Sequence, residues 1–362
     1  MALNDGALPP RTATGVAMKK SSTHVVSLTG QEPSLQVAGG SMTHVDASVF
    51  PILERLSIRR LLLAPRGVRE PHWHANCHEL TYCVRGEALV TIFGNQSARD
   101  SFTVAAGEMF FVPSGALHHI ENTGAAEAEF ILAFTHERPE DFGLSGTFGA
   151  MTDAVLGNTY GLPARAFSAL KRSPNDTGIG LRTAAAAVSE EARRVNPHKF
   201  AVEAQIAPLA SPAGSARLAR KQFWPILENV AMFLLRVTDQ GMREPHWHPA
   251  TAEMGYVLQG RARMTVLSPG ASVDTYELGP GDVYFIPRAY PHHIEDIGQG
   301  DIHFLVFFDR ETPGDIGCKA AVSAYSREVL AATFDCDVAA LPQFPFTAQD
   351  PLIVARGNPV DR

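Results

Sequence analysis

The stretch REPHWH occurs twice in this chain, at residues 69–74 and at residues 243–248. Shifting the sequence by 174 positions superimposes the two copies, and the same shift aligns FPILE, beginning at Phe50, with WPILE, beginning at Trp224. It also aligns the two occurrences of HHIE, the first of which starts at His118. A match of this length indicates two duplicated whole domains and not a solenoid of short repeats.

Length and composition agree with two domains. The chain has 362 residues, 45% of them hydrophobic, and a domain takes about 150 residues. The net charge of -7 provides no basic field for nucleic acid, and no stretch approaches the roughly 18 apolar residues of a membrane span. We therefore expect neither a nucleic-acid nor a membrane partner. The four cysteines show no paired spacing and the N-terminus lacks an apolar signal segment, so we expect a cytoplasmic protein.

Composition also suggests the domain boundaries. Residues 1–30 are rich in small and polar types, which predicts a flexible N-terminal arm. The first domain is predicted at residues 31–173 and the second, with C-terminal helices, at residues 201–362. An alanine run and the charged sequence SEEARR mark residues 174–200 as the linker.

Within both copies, short segments rich in Val, Ile, Phe and Tyr are separated by Gly, Pro, Asn and Ser roughly every 8–12 residues. This spacing is typical of all-β domains, and a double-sheet jelly roll is one way in which such strands avoid exposed edges. We predict two tandem β-barrels. Short helices should follow them at residues 151–170 and 326–344, where they could pack against the other domain or another subunit.

Two histidines in each REPHWH copy are two positions apart, so on a β-strand they face the same side. A glutamate five residues after the second histidine can return to that side, and a third histidine follows 46 residues after the first. The predicted metal ligands are His72, His74, Glu79 and His118 in the first copy and His246, His248, Glu253 and His292 in the second. His78 is an alternative to Glu79. Its counterpart in the second copy is Ala252, so we prefer the glutamate, which both copies share.

This ligand pattern is more specific than a lone histidine, which is more often a packed core residue. Three imidazoles and one carboxylate would leave open positions on a six-coordinate first-row ion, as substrate binding requires. His119 and His293 directly follow the third histidines, and strand alternation should turn them away from the site.

The sequence G-x4-H-W-H-x4-E-x6-G from Gly67 to Gly86, followed by G-x5-P-x-G-x2-H-x3-N from Gly107 to Asn122, resembles the two cupin motifs. Two such barrels, each with His-Trp-His and an arginine three residues upstream, look most similar to the bicupin oxalate decarboxylases. The resemblance implies two tandem cupin barrels of the double-stranded β-helix, or jelly-roll, type.

The same resemblance implies the cofactor and the partners. It suggests manganese, as two Mn2+ per chain, with iron, nickel or zinc as alternatives. It also suggests a small carboxylate substrate and a homo-oligomer, a trimer or hexamer. Arg69 and Arg243 would clamp the substrate carboxylate, because a guanidinium group can bind a carboxylate through two hydrogen bonds.

The chain departs from the family at two catalytic positions. Residues 134–148 lack the family's lid sequence with its proton-donating glutamate. Asp141 is nearest to that acid, with Glu140 beside it, and the 174-residue shift maps Asp141 onto Asp315. Val306 stands where the family has a glutamate in the last strand of the second barrel.

The leading prediction is a manganese-dependent enzyme that splits oxalate or a similar small carboxylate into carbon dioxide and formate. Arg69 would position the substrate, and an acid of a closing lid would supply the proton. The two departures leave alternatives open. One is an iron or nickel dioxygenase or isomerase acting on another small organic substrate, and the other is a non-catalytic metal-binding or storage bicupin.

Overall fold

The computed structural model describes residues 23–298 and 300–360. Within these residues the chain forms two β-barrels, one in each half, and short helices follow each barrel. The predicted all-β class, with a duplicated barrel, is confirmed. None of the helices in the described part of the chain is long and apolar enough to cross a membrane.

Described residues 23–200 contain fourteen strands and two α-helices. The strands are β1 (Val25–Ser27), β2 (Leu35–Val37), β3 (Gly40–Val45), β4 (Ser57–Leu63), β5 (Gly67–His74), β6 (Glu79–Arg85), β7 (Glu87–Phe93), β8 (Arg99–Ala105), β9 (Met109–Val112), β10 (Leu117–Asn122), β11 (Ala128–Phe134), β12 (Asp141–Gly143), β13 (Ile179–Leu181) and β14 (Lys199–Phe200). The helices are α1 (Leu144–Ala150) and α2 (Asp153–Tyr160).

Described residues 201–298 and 300–360 repeat the order of β2 to β13 with twelve strands and two α-helices. The strands are β15 (Leu209–Ser211), β16 (Gly214–Ala219), β17 (Ala231–Val237), β18 (Gly241–Trp247), β19 (Glu253–Gln259), β20 (Ala262–Ser268), β21 (Ser272–Leu278), β22 (Asp282–Ile286), β23 (His292–Asp296), β24 (Ile302–Phe308), β25 (Ile316–Gly317) and β26 (Ile353–Ala355). The helices are α3 (Cys318–Ala321) and α4 (Arg327–Phe334).

Each barrel consists of two antiparallel sheets. The first barrel has the strand orders β12-β5-β10-β7-β8, with β13 also on β5, and β14-β9-β6-β11-β4-β3-β2. The second barrel has the orders β25-β18-β23-β20-β21, with β26 on β18, and β1-β22-β19-β24-β17-β16-β15. The two barrels are therefore built in the same way, strand by strand.

Strand alternation separates the barrel interiors from a third core between the barrels. On β4, Leu61 and Leu63 point into the first barrel, whereas Ile58 joins the core between the barrels. On β17, Leu235 points into the second barrel and Leu234 into the shared core. Each seven-stranded sheet is thus apolar on both faces, so the barrels pack together through the outer faces of these sheets.

The two barrels exchange their first strands. β1 pairs with β22 of the second barrel, and β14, its counterpart after the 174-residue shift, pairs with β9 of the first barrel. The residues before these strands bind in the same way: Nδ1 of His24 lies 2.8 Å from the carbonyl oxygen of Phe285, and Nδ1 of His198 lies 2.9 Å from that of Phe111. The short strand that precedes each barrel in sequence therefore completes a sheet of the other barrel.

This exchange differs from the predicted boundaries. Residues 1–22 of the predicted arm lie outside the described residues, but residues 23–30 contain β1 and the fully buried Leu28 and are not a loose arm. The predicted linker, residues 174–200, contains β13 and β14, which pair with the first barrel. Strands of two or three residues are too short to show an alternating pattern, so composition alone suggested loops.

The helices after each barrel are shorter than the predicted segments. In the first half, α2 begins after Thr152, whose hydroxyl accepts the N–H of Val155, and ends at Gly161 with φ of 66°. α4 repeats this pattern, with Ser326 as the N-terminal cap and Asp335 in the left-handed conformation at the end. Short 3-10 helices account for the remaining helical turns: Asn95–Ser97, Ala164–Phe167, Glu191–Arg193, Val202–Ala204, Val322–Ala324 and Val338–Ala340.

Candidate metal centres

Strand register brings the predicted ligands together. β5 carries both histidines of the first REPHWH copy, β6 begins at Glu79, and β10 places His118 opposite His72. In the second barrel, β18 carries His246 and ends just before His248, β19 begins at Glu253, and β23 places His292 opposite His246. Antiparallel neighbours and the alternation of side chains along β5 therefore direct four side chains to one point.

Both ligand sets form compact, buried clusters. In either barrel, one ligand atom from each of four residues lies within 4.8 Å of the others. The clusters are His72, His74, Glu79 and His118 in the first barrel and His246, His248, Glu253 and His292 in the second. Three imidazoles and a carboxylate are donors that suit a first-row transition-metal ion. Each barrel thus contains one three-histidine, one-glutamate metal site.

The other histidines of the two motifs lie outside the clusters. Nδ1 of His78 accepts the N–H of Ser114 at 3.0 Å, so this ring faces away from the site that Glu79 joins. His119 and His293 are partly exposed, and each lies beside a glutamate of its own strand, at 3.5 and 3.4 Å. The structure places these three side chains as the sequence reasoning expected.

Hydrogen bonds orient the ligand rings of the first barrel. His72 and His118 each donate Nδ1–H to the backbone carbonyl two residues earlier, at 2.8 and 3.0 Å. His74 donates Nδ1–H to Oδ1 of Asp141 at 2.8 Å. When Nδ1 of a neutral imidazole carries the proton, Nε2 keeps its lone pair. All three rings therefore present Nε2 as a ligand atom.

The second barrel repeats this arrangement and provides a test of fit. His246 and His292 donate Nδ1–H to carbonyls two residues earlier, at 2.7 and 3.0 Å. Nδ1 of His248 lies 2.9 Å from Oδ1 of Asp315 and 3.0 Å from the carbonyl oxygen of Gly314. Nε2 of His292 is buried and has no hydrogen-bond partner among the described residues. A buried acceptor without a partner is costly unless it binds a cation, so the residues fit a metal ion.

The surroundings of the first cluster shift the pKa values of its ligands in different directions. Burial lowers the pKa of His74, but the hydrogen bonds with Asp141 and Glu79 outweigh it and raise the pKa, so a metal ion has to displace a proton there. Burial and the charge of Arg69 hold the pKa of His72 well below its usual range, so this ring is neutral. Burial opposes the ionisation of Glu79, but His118 and His74 outweigh it and hold the pKa of this carboxyl well below its usual range. Both shifts have the same direction in the second barrel.

The two predicted arginines are buried beside the clusters. Arg69 and Arg243 are 4% and 7% exposed, so neither is a solvent-facing charge. A bulge in the pairing of β5 with β10 lies between Arg69 and His72, and it brings residues at an odd spacing to the same side of the strand. This bulge, which includes Pro71, turns Arg69 towards the side of the ligand histidines.

Each arginine binds an aspartate and a backbone carbonyl. The aspartate is Asp141, at the start of β12, in the first barrel and Asp315, just before β25, in the second. Nη2 of Arg69 lies 3.1 Å from Oδ2 of Asp141, and Nη1 donates to the carbonyl of Gly178 at 3.1 Å. Arg243 makes the corresponding bonds at 2.8 Å to Asp315 and at 2.8 Å to the carbonyl of Leu352. The remaining N–H donors of each guanidinium group are available to an anion.

Asp141 does not have the surroundings of the predicted proton donor. Its Oδ1 accepts from His74, and its Oδ2 accepts from Arg69 and Arg59. Burial would raise the pKa of Asp141, but the hydrogen bond from His74 and the charge of Arg59 hold it well below its usual range. This carboxylate orients a ligand histidine. Glu140, the neighbouring candidate, is exposed to solvent.

Two acidic residues that the sequence analysis did not single out hold the lid segment, residues 141–146, against β5. Glu70 accepts the N–H groups of Ser145, at 3.0 Å, and of Gly178. Asp176 accepts the N–H of Gly143 at 2.7 Å. The duplication could have identified these two residues, because the second copy has the same residue types at the shifted positions, Glu244 and Asp350, which make the same kind of backbone contact.

A cavity of about 30 Å3 lies beside the second cluster. Its lining includes Arg243 and Asp315, and its walls are apolar, with Phe233, Val306 and Phe308 among them. One water needs roughly 10–15 Å3 of such space, so only a few heavy atoms fit. Val306, found where the resembling family has a glutamate, forms part of the apolar wall.

Comparisons with known proteins agree with the motifs. Residues 26–166 and 205–340 match the cupin family. Oxalate decarboxylase OxdC of Bacillus subtilis (strain 168) is 28% identical over 287 residues, which cover 77% of this chain and 73% of that protein. A probable oxalate decarboxylase of Arthroderma benhamiae is 23% identical over 290 residues, covering 76% of this chain and 70% of that protein.

Two further comparisons concern single barrels and the fold. Germin-like protein 3-8 of Oryza sativa subsp. japonica is 34% identical over 139 residues, covering 37% of this chain and 62% of that protein. A solved structure of Bacillus subtilis oxalate decarboxylase superposes with a TM-score of 0.82 at 24% identity, covering 94% of this chain and 90% of that chain. The chain belongs to the cupin family and is a bicupin related to oxalate decarboxylase OxdC.

Proposed function

We propose that this bicupin is a metal-dependent enzyme that cleaves the carbon–carbon bond of oxalate or a similarly small carboxylate, giving carbon dioxide and formate. In each barrel a complete three-histidine, one-glutamate cluster lies beside a buried arginine, and this juxtaposition carries the proposal. The relatives named as oxalate decarboxylases support the substrate class.

We propose manganese as the ion, with two sites per chain. The Bacillus subtilis enzyme whose structure superposes on this chain is described with Mn(II) centres. The imidazole and carboxylate donors also suit iron, nickel and zinc, so metal analysis has to decide between them. A bound divalent ion would polarise the substrate carboxylate as a Lewis acid.

The chain's own residues account for binding and orientation. Arg69 and Arg243 place a guanidinium charge beside each cluster, and their unused N–H donors suit a carboxylate. Buried aromatic side chains, Phe134 in the first barrel and Phe308 in the second, lie against a ligand histidine at centroid distances of 4.8 and 4.9 Å. Such walls exclude water and strengthen the electrostatic interactions inside the site.

A second candidate reaction is oxidation of the same substrate by dioxygen to carbon dioxide and hydrogen peroxide. Decarboxylation to formate leaves an electron pair on carbon that must take a proton. Asp141 and Asp315 are each bonded to an arginine and a ligand histidine, so neither is a free acid. Oxidation transfers two electrons from oxalate to dioxygen and needs no proton on carbon, so this observation favours it as the alternative.

Product analysis tests the proposal. Manganese-loaded protein is incubated with oxalate under air at mildly acidic and neutral pH, and formate, carbon dioxide and hydrogen peroxide are quantified. We expect one formate and one carbon dioxide per oxalate. Peroxide with two carbon dioxide per oxalate would instead establish the oxidation. No consumption of oxalate by folded, metal-loaded protein would overturn both reactions and favour iron or nickel chemistry on another substrate, or metal storage.

A further inference from the structure

The two barrels differ in charge at one position beside the ligand space. After the 174-residue shift, Arg59 on β4 corresponds to Phe233 on β17. Phe233 lines the cavity next to the second cluster, together with Arg243. Arg59 shares its strand face with Leu61, which points into the first barrel. The first barrel therefore has a guanidinium group where the second barrel has a phenyl ring.

Arg59 and Phe233 pack on equivalent aromatic rings close to the metal ligands. Cζ of Arg59 lies 4.6 Å from the ring centroid of Phe134, and the ring centroid of Phe233 lies 4.8 Å from that of Phe308. Both supporting rings are in contact with a ligand histidine. Arg59 thus contacts two groups that themselves contact ligand His74: the ring of Phe134 and the carboxylate of Asp141.

The fold does not need Arg59 as a second arginine to neutralise Asp141, the lid aspartate. Asp141 accepts from both Arg59 and Arg69. Its counterpart Asp315 pairs with Arg243, while Phe233 occupies the other position, and the second barrel has the same strand pairing. The side chain of Arg59 is 12% exposed and directs one of its five N–H donors to Asp141. The other donors are available to an anion.

The additional arginine changes the charge of the first site. In the first barrel, two arginines, Arg59 and Arg69, lie beside the lid aspartate next to the metal cluster. In the second barrel, Arg243 pairs with the corresponding aspartate and Phe233 takes the place of the other arginine, so with the histidines neutral, as metal ligands are, this site carries one positive charge fewer. A difference of one charge in a buried, low-dielectric site strongly favours a dianion in the first barrel over the second.

We infer that Arg59 determines specificity: it makes the first barrel the binding site for a dianionic carboxylate of oxalate size. The second barrel, which has Phe233 at this position, discriminates against such a dianion. The inference rests on the proposed function for its substrate class. Arg59 and Arg69 hydrogen-bond the same oxygen of Asp141, so the two guanidinium groups are close enough to pair with two carboxylates that are joined by one bond.

Binding measurements on the two sites in isolation test this inference. His292→Ala leaves the first site intact, and His118→Ala leaves the second. Each variant is loaded with redox-inert Zn2+, so that the ligand is not consumed, and titrated calorimetrically with oxalate and with acetate as a monoanion. We expect oxalate to bind more tightly to the protein that retains the first site.

In the first-site protein, Arg59→Phe should weaken oxalate binding roughly 10- to 100-fold, the range for loss of a charged hydrogen bond, and acetate binding by less than about threefold. Arg59→Lys, which keeps the charge, should recover part of the oxalate affinity. The converse change, Phe233→Arg in the second-site protein, should strengthen oxalate binding. Melting temperature and zinc content show whether each variant is folded and loaded.

Unchanged oxalate affinity in Arg59→Phe, or an equal loss for oxalate and acetate, would overturn the inference, since a purely structural arginine gives one of these results. If Arg59→Phe does not fold, Arg59→Lys and Phe233→Arg decide the question in the same way. Arg59-dependent oxalate binding without formate production would refute the proposed reaction and leave the inference standing. Formate production from oxalate, together with unchanged oxalate affinity in Arg59→Phe, would support the proposed reaction and overturn the inference.

Discussion

The phenolic oxygen of Tyr284 lies 2.6 Å from Oε1 of Glu253, the carboxylate oxygen that does not face His248. In the first barrel, the hydroxyl of Thr81 lies 2.7 Å from Oε1 of Glu79. Both ligand glutamates are thus held by a buried hydroxyl group, which fixes the direction of the oxygen that faces the histidines.

The two hydroxyl groups come from different strands because the barrels differ at two aligned positions, one on each strand. Gly255 in β19 is the counterpart of Thr81, and a Cβ atom at this glycine would lie 2.0 Å from the ring of Tyr284. Phe110 in β9 is the counterpart of Tyr284 and has no hydroxyl to offer. The second barrel therefore loses a hydroxyl on one strand, and the space left by the glycine admits a tyrosine that restores it.

Tyr284→Phe should weaken metal binding at the second site by about 10- to 100-fold, as removal of such outer partners of metal ligands does. Oε1 of Glu253 would lose its hydrogen bond in a fully buried position. Metal retained after dialysis against graded concentrations of chelator measures the effect. Thr81→Val is the matched variant and should affect the first site. If Tyr284→Phe retained its metal to the same chelator concentration as the parent protein, the hydroxyl would have no part in binding.

Removal of one ligand histidine should empty one site and leave the other. We expect one metal ion per chain in His118→Ala and in His292→Ala, two in the parent protein, and none in the double variant, as measured by elemental analysis. Each cluster has four protein ligands, and the clusters lie in separate barrels. His119→Ala, which changes a histidine outside the cluster, is the control and should retain both ions. Loss of both ions in either single variant would show that the sites depend on each other.

Exchange of the first strands should make the N-terminal segment essential for stability. Leu28 is fully buried in the core between the barrels, so Leu28→Ala should lower the free energy of unfolding by about 2–5 kcal/mol. Val37→Ala, at an exposed position of β2, should stay within about 0.5 kcal/mol of the parent protein. Thermal unfolding of the two variants provides the comparison. Equal melting temperatures would mean that the segment does not contribute to the core.

The metal ligands could be predicted from the sequence because duplication separates shared residues from incidental ones. Glu79 was preferred over His78 only because the second copy repeats the glutamate. The strand exchange was not predicted, since β1 and β14 consist of three and two residues and show no periodicity. The sequence feature that could have indicated the exchange is the histidine before each of these strands, His24 and His198, at the same 174-residue spacing.

The role of Asp141 could not be read from the sequence for a different reason. An aspartate in a lid can donate a proton or accept hydrogen bonds, and its partners decide between these roles. Those partners, Arg59 and Arg69, are distant from it in sequence: β12 pairs with β5, which carries Arg69, whereas Arg59 reaches Asp141 from β4 in the facing sheet. Arg59 is not among the residues that the sequence analysis singles out, and only the alternation of β4 shows that it shares the inward face with Leu61.

Outside the metal sites, the pair of arginines around Glu129 predicts a dependence of stability on pH. Nε of Arg60 lies 2.6 Å from one oxygen of Glu129, and Nε of Arg85 lies 2.8 Å from the other. Burial would raise the pKa of Glu129, but the hydrogen bonds from the two arginines outweigh it and lower the pKa. A lowered pKa in the folded state stabilises the fold above the unfolded-state value, about 4.3, and this contribution is lost as the pH falls through the folded-state value.

Glu129→Gln should therefore lower the free energy of unfolding by about 1–3 kcal/mol at pH 7, where the parent carboxylate is ionised. The difference between parent and variant should shrink as the pH falls below about 4 and the parent carboxylate takes up a proton. Glu127→Gln removes an exposed partner of Arg85 and should have a much smaller effect at either pH. Thermal unfolding of the three proteins between pH 3 and pH 8 tests the sign: a difference that grew towards acid pH would contradict a carboxylate stabilised in its ionised form.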